Sequence, residues 1–194
     1  MSDTKQKYSH LLWKEISNEK LLDSTVFSVC RSHRVSATGA EGEFVFLNSP
    51  DWVNIIPIIR NQDGEDCFIM VRQYRQGSNT ITLEFPGGVL DPGEAPETGA
   101  KRELLEETGY EANDIKLLGK ISPNPAFMNN WCYTYLSKHV IKKREPDLDE
   151  LEFVDAEIIP IREVEEQMGE GPYINAIIMT ALAWYHKWQK KQTV

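Results

Sequence analysis

An α/β fold, with a mixed sheet between helices and an antiparallel β-hairpin layer in front of it, is predicted by three observations. The first half of the chain alternates apolar and polar residues in short runs separated by turn clusters. One helix-patterned segment then interrupts the strands near the middle, and a long helix with an apolar stripe closes the chain. Strands, an isolated helix, further strands and a final helix is the order expected of a mixed sheet covered on both faces.

Residues 8 to 22 read as a helix or as an extended lead-in. After them "TVFSVCRSHRVSA" and "GEFVFLNS" alternate around the turn "TGAEG", which predicts a hairpin and makes residues 1–50 an N-terminal β-hairpin region ahead of a main domain over 51–194. Strands follow at 53 to 60 and 67 to 74, joined by the turn-rich "NQDGED", and at 80 to 85. A helix is predicted over 96 to 107: Pro96 suits a first helical turn, Ala100 and Leu104 share one stripe, and Gly109 suits a left-handed end. "DIKLLGKIS" and "NWCYTYLSKHVI" then read as strands, "KKREPDLDELE" as a charged loop, "FVDAEIIPI" as a strand, and "REVEEQMGEG" and "YINAIIMTALAWYHKWQKK" as helices. Trp184 and Trp188, four apart, are expected to pack on the sheet, and Trp131, which shares a strand face with Tyr133 and Tyr135, is expected to be buried.

Composition narrows the function classes. With 194 residues, 41% hydrophobic and 26% charged, the chain can bury one good-sized core. No run approaches the ~18 apolar residues of a membrane span, and "MSDTKQKYSHLLWKE" lacks a signal-peptide core, so a cytoplasmic protein is expected. Cys30, Cys67 and Cys132 are too few and too far apart for a disulfide framework or a thiolate zinc site and are expected to be buried thiols. A net charge of -9 opposes general affinity for nucleic-acid backbone. The four histidines are scattered, and no serine or cysteine stands in a nucleophile elbow.

The chemistry concentrates in "GGVLDPGEAPETGAKRELLEETGY", from Gly87 to Tyr110. Glu103, Glu106 and Glu107 are spaced to emerge on one helical face within a turn. Such like-charge neighbours cost only about 0.2–0.5 kcal/mol per pair on an exposed helix, so a solvated face stays open as an alternative. Converging carboxylates are also what a hard divalent cation such as Mg²⁺ requires. Gly87 and Gly88, in a tight loop just before, suit a backbone carbonyl offered to that ion and the close approach of a phosphate. Arg102 is placed to pair with Glu94 and fix the loop to the helix.

Gly88, Glu94 and "RELLEETGY" over residues 102–110, at these spacings, resemble the Nudix box; Tyr110 stands where that family usually has an aliphatic residue. The resemblance implies the Nudix α/β/α sandwich, hydrolysis of a nucleoside diphosphate linked to another moiety, and Mg²⁺ or Mn²⁺ held by Gly87, Glu103, Glu106 and Glu107. "VRQYR", "LEFPGG" and "SPNPAFMNN", with Pro125 sixteen residues past Gly109, resemble the ADP-ribose and nucleoside diphosphate sugar pyrophosphatase branch. That branch implies substrate contacts at Arg75, Glu84, Gly88, Pro125 and Phe127, a homodimer built on the N-terminal hairpin, and a general base in "DLDELEF", with Glu152 first and Glu150 second. Glu106 and Arg102 complete the catalytic candidates. For Arg75 and Glu84 a plain salt bridge is an equal alternative. Other nucleotide substrates (a dinucleotide, NADH or a capped RNA end) and a non-catalytic nucleotide-sugar sensor are the competing functions.

Overall fold

The computed structural model describes residues 7–192; the first six, part of the stretch judged to lack a signal-peptide core, lie outside the described residues. The chain divides into two units, residues up to Pro50 together with Ser122–Asn130, and Asp51–Ile121 together with Trp131 onward.

In the first unit a turn of 3-10 helix (Ser9–Leu11) leads into β1 (Trp13–Asp23), β2 (Ser28–Ser36) and β3 (Glu41–Asn48), an antiparallel sheet in sequence order. The lead-in left open between helix and extended chain is thus mainly a strand, and the hairpin has a third member. Its "WKEISNEKLLD" alternates weakly because all eleven residues of β1 are exposed. β2 instead buries Cys30 and Ser32. Ser122–Asn130 joins this unit through Leu47 N–H donating to the Phe127 carbonyl at 2.7 Å and Asn129 Nδ2 donating to Asn48 Oδ1 at 2.7 Å.

The second unit is built on β4 (Trp52–Arg60), which is buried over most of its length, as its nearly unbroken apolar run requires. Around it lie β5 (Asp66–Arg75), β6 (Thr80–Glu84), β7 (Gly87–Val89), β8 (Tyr110–Ala112), β9 (Lys116–Ile121), β10 (Cys132–Ser137), β11 (Val140–Lys142) and β12 (Val154–Pro160). The main sheet runs β12-β5-β4-β10-β9, with β6 on β5 and β7 on β4. β10 is parallel to β4 and the other pairs are antiparallel, so the sheet is mixed.

Two helices cover the faces. α1 (Pro96–Thr108) packs Ala100 and Leu104 against Val53, Ile55 and Tyr135. A short α2 (Ile161–Glu166) follows β12, and α3 (Ala176–Gln192) packs Ile178, Ala181, Leu182 and Tyr185 on Ile56, Phe68 and Leu136 of the opposite face. Phe68 anchors that layer with edge-on contacts to Phe85 and Tyr185, centroids 5.1 and 5.2 Å away. This is the α/β/α order. All three cysteines are buried and unpaired.

Several predicted elements are redrawn. "NWCYTYLSKHVI" divides into β10 and β11, and β11 leaves the main sheet to pair with β8. "REVEEQMGEG" holds a helix only through Glu166, and α3 starts at Ala176 rather than Tyr173. Gly87 and Gly88, expected in a tight loop, are laddered to Asn54 and Val53. Trp131, expected to be buried, is 42% exposed; it precedes β10, and Lys120 lies 4.4 Å over its ring. Trp184 and Trp188 do pack on the sheet, Trp184 against Gly119 and Trp188 against the Phe68 cluster.

The sheet is forked. β4 pairs with β10 and β7 from Trp52 to Pro57, then with β5 from Ile58 to Arg60. Proline lacks an N–H for the ladder, so Pro57 falls where the pairing changes partner. Glu84, Phe85 and Pro86 cross the fork from β6 to β7, and the Pro86 carbonyl accepts from Ile55 N–H at 2.9 Å. That crossing carries the two glycines to the foot of α1.

Candidate active site

Arg102 organises the site. It reaches back along the exposed side of α1, where Nε and Nη2 donate to the two oxygens of Glu94 at 3.0 and 2.9 Å, the fork-on-fork geometry that suits guanidinium and carboxylate. Nη1 donates to Glu103 at 2.9 Å and Glu106 at 3.0 Å, and Nη2 also reaches the Val89 carbonyl at 3.2 Å. One cation thus ties the preceding loop to two glutamates of the helix. These contacts hold the Arg102 pKa above its ordinary value, and the Arg102 hydrogen bond, ahead of all else, holds Glu94 below its own.

Glu103 and Glu107 point inward and are 8% and 5% exposed. Burial pushes Glu103 up to about 7 against the opposing pull of Arg102, and pushes Glu107 up to about 8 against a 2.8 Å hydrogen bond from Gly87 N–H. Each carboxylate raises the other or is raised by its neighbours, and the charge of Glu152 adds to both. Glu152 therefore lies within electrostatic reach of the helix glutamates although it comes from the loop before β12. Its Oε2 accepts from Asp149 N–H at 3.3 Å, and the same loop is tied to the helix by Asp147 N–H donating to the Glu106 carbonyl at 2.8 Å.

Two glycines stand in tight places. A Cβ on Gly88 would stand 2.5 Å from Glu103 Oε1, so a larger residue there would displace that carboxylate from the β7 backbone. Gly109 ends α1 at φ 71°, the left-handed conformation its place after the helix predicts.

Arg75, at the end of β5, and Glu84, at the end of β6, form a two-pronged pair at 2.8 and 2.9 Å. Burial raises the Glu84 pKa, but Arg75, Thr82 and Asn175 together overcome this and hold it below the ordinary range. Thr82 donates to Glu84 at 2.6 Å. Thr82 and Asn175 were missed in the sequence. Thr82 was visible as the residue two before Glu84 on the same strand face, whereas Asn175 arrives from the far side of β12 with no local signal.

Pro125 and Phe127 belong to the other unit. There Pro125 lines a cavity of about 520 Å³ with Trp13, Arg34, Phe44 and Met128, and Phe127 is 46% exposed. Among the described residues no three carboxylate, imidazole or thiol groups form a ready-made metal cage; Arg102 stands between Glu103 and Glu106.

Against known proteins, the NUDIX domain profile matches residues 50–178, the span that carries every one of these carboxylates. The chain belongs to the NUDIX family. As a Nudix hydrolase it is 32% identical over 143 residues to the methanol dehydrogenase activator of Bacillus methanolicus, covering 73% of this chain and 75% of that one. It is 28% identical over 143 residues, with the same coverage, to the ADP-ribose pyrophosphatase of Bacillus subtilis. The crystal structure of an ADP compounds hydrolase superposes with a TM-score of 0.79 at 25% identity, over 94% of this Nudix hydrolase and 97% of the other chain.

Proposed function

We propose that this Nudix hydrolase cleaves the pyrophosphate bond of ADP-ribose or a related nucleoside diphosphate sugar, releasing a nucleoside monophosphate and a sugar phosphate. The observation that carries the reading is the pair Glu103 and Glu107. Two buried carboxylates one turn apart, both pushed toward neutrality, with a glycine backbone pressed on one of them, are costly unless a cation compensates them. The residues fit Mg²⁺ or Mn²⁺: the donors are all oxygen, Glu103, Glu106 and Glu107 carry the charge, and Gly87 offers its carbonyl. Bound there, such an ion would neutralise pyrophosphate oxygens and orient water.

The chain's own residues do the rest. Glu152 is the proton acceptor for the attacking water and Glu150 its understudy. Arg75, steadied by Glu84, presents its remaining Nη1 to a substrate phosphate. Arg102 bridges Glu103 and Glu106 and clamps the loop through Glu94. Gly88 keeps the backbone flat beside Glu103. The relatives named for ADP-ribose and ADP compounds support the substrate class. A homodimer is supported by the exposed Trp13, Ile16, Leu21 and Leu22 of β1, and a cytoplasmic setting by three unpaired thiols.

A substrate panel tests this: ADP-ribose, ADP-glucose, GDP-mannose, UDP-glucose, NADH, diadenosine polyphosphates and a capped RNA, each with Mg²⁺ or Mn²⁺. Sugar phosphate and nucleoside monophosphate from the first four are expected. Cleavage of RNA ends alone would move the chain to another branch, and ADP-ribose binding without turnover would make it a sensor.

A further inference from the structure

The lysine ion pairs among the described residues involve Lys20, Lys101, Lys142 and Lys143. Of the eight other described lysines, Lys7 and Lys14 belong to the first unit and six lie around one edge of the second: Lys116 and Lys120 on β9, Lys138 just past β10, and Lys187, Lys190 and Lys191 on α3. Neither β9 nor α3 contains an aspartate or glutamate. Of the carboxylates near them, Glu165 is already engaged by His186 at 2.7 Å, and Asp114 precedes β9. In a chain of net charge -9 this concentration of unmatched positive charge is against the average.

Three of these lysines, Lys116, Lys187 and Lys191, line a groove of about 190 Å³ between β9 and α3, together with Leu117, Trp184 and Trp188. One wall is stiff: Trp184 rests on Gly119, with Lys187 4.6 Å over its ring, and Trp188 packs into the core with Lys138 5.5 Å over it. The floor is a sheet edge. β9 ends the strand order and pairs with β10 alone, and its Leu117 is 49% exposed. Lysines on an edge strand commonly guard it against stray pairing, which accounts for Lys116 and Lys120. It does not account for three lysines and two tryptophans contributed by a helix.

We propose that β9 and α3 form a docking groove for an extended acidic segment of a partner protein, added as a further strand on β9 with its carboxylates against Lys116, Lys187 and Lys191. Backbone pairing gives such a segment affinity, and the lysines and Leu117 select alternating acidic and apolar side chains. A nucleic acid matches the charge but has no amide ladder to offer the strand edge, and the groove lacks arginine, the better phosphate fork.

The test uses the full chain and a labelled peptide of about eight residues alternating glutamate with valine, followed by fluorescence anisotropy. Saturable binding is expected, weakened about tenfold by Lys187→Glu with Lys191→Glu and again by raising the salt. One of the two alternately N-methylated versions of the peptide, the one whose blocked amides face β9, should also bind about tenfold more weakly. Amide NMR shifts should fall on Lys116–Ile121. Nucleotide hydrolysis and melting temperature of the double variant should match the parent, so failure here is separable from failure of the hydrolase assignment. Absence of saturable binding, equal binding of both N-methylated peptides, or tighter binding of a ten-nucleotide oligouridylate would each overturn the proposal.

Discussion

Glu107 is lifted further by burial than Glu103, the other raised carboxylate of the site. Its folded pKa of about 8 stands above the ordinary carboxylate value of 4.5, so the folded protein holds that proton more tightly than the unfolded chain does. The stability tied to this proton is complete below about pH 4.5 and is lost as pH rises toward 8; Glu103, at about 7, acts in the same direction. Melting in EDTA should therefore weaken from pH 5 to pH 8, and Mg²⁺ should restore more stability at pH 8 than at pH 5. Glu107→Gln, which keeps an acceptor for Gly87 N–H, should raise the metal-free melting temperature at pH 8 by roughly 3 °C or more while abolishing turnover, since functional charge is retained at the expense of stability. An unchanged melting profile in that variant would contradict the assignment. Glu152→Gln should lower kcat by about 10²-fold with little change in KM, as expected of a residue needed in the transition state only. If Glu152→Gln turned over normally while Glu150→Gln did not, the base would be Glu150. Both candidates are legible in "DLDELEF", with Glu152 ahead of Glu150, whereas the hydrogen bond that ties the loop to α1, from Asp147 N–H to the Glu106 carbonyl, has no local signal.

At the scale of elements, α1 with its preceding loop behaves as a clamp closed by Arg102. Truncation in Arg102→Ala would leave Glu94 and Glu103, with side chains 10% and 11% exposed, without their cation. A loss of about 2–4 kcal/mol is expected in chemical denaturation, and Arg102→Lys, which has one point charge in place of a fork, should recover only part of it. Full recovery by lysine would mean that charge alone, and not the planar geometry, closes the clamp. This element was legible because its cues are local: Pro96 at the start, the Ala100 and Leu104 stripe, Gly109 at the end, and a predicted span of 96 to 107 against an observed Pro96–Thr108. Long strands were equally plain, with 53 to 60 observed as Trp52–Arg60 and 67 to 74 as Asp66–Arg75. The three-residue strands β7, β8 and β11 were not, because nothing so short shows a period and each exists only through the partner it meets. Trp131 misled for a related reason: the alternation it shares with Tyr133 and Tyr135 begins one residue before β10, where Lys120 rather than the core receives the ring.

For the whole molecule, the exposed β1 sets the expectation about assembly. A strand with Trp13, Ile16, Leu21 and Leu22 all open to water is a liability unless a second copy covers it. Sedimentation should report a dimer, and Ile16→Glu with Leu22→Glu should shift it toward monomer without changing the fold of the second unit by circular dichroism. A parent protein that sediments as a monomer at high concentration would rule this out. Composition had no means of showing it, since β1 is no more apolar than an ordinary surface strand and only its exposure reveals the need for a cover.

The fork in the sheet has a mechanical consequence. Arg75 and Glu84 ride on the β5–β6 ladder, whereas Gly87, which holds Glu107, rides on the β4–β7 ladder. A diphosphate that touches both groups stitches across a seam where the backbone itself makes little connection. Occupancy should therefore slow hydrogen exchange at Ile55, whose amide spans that seam to Pro86, even though Ile55 is fully buried.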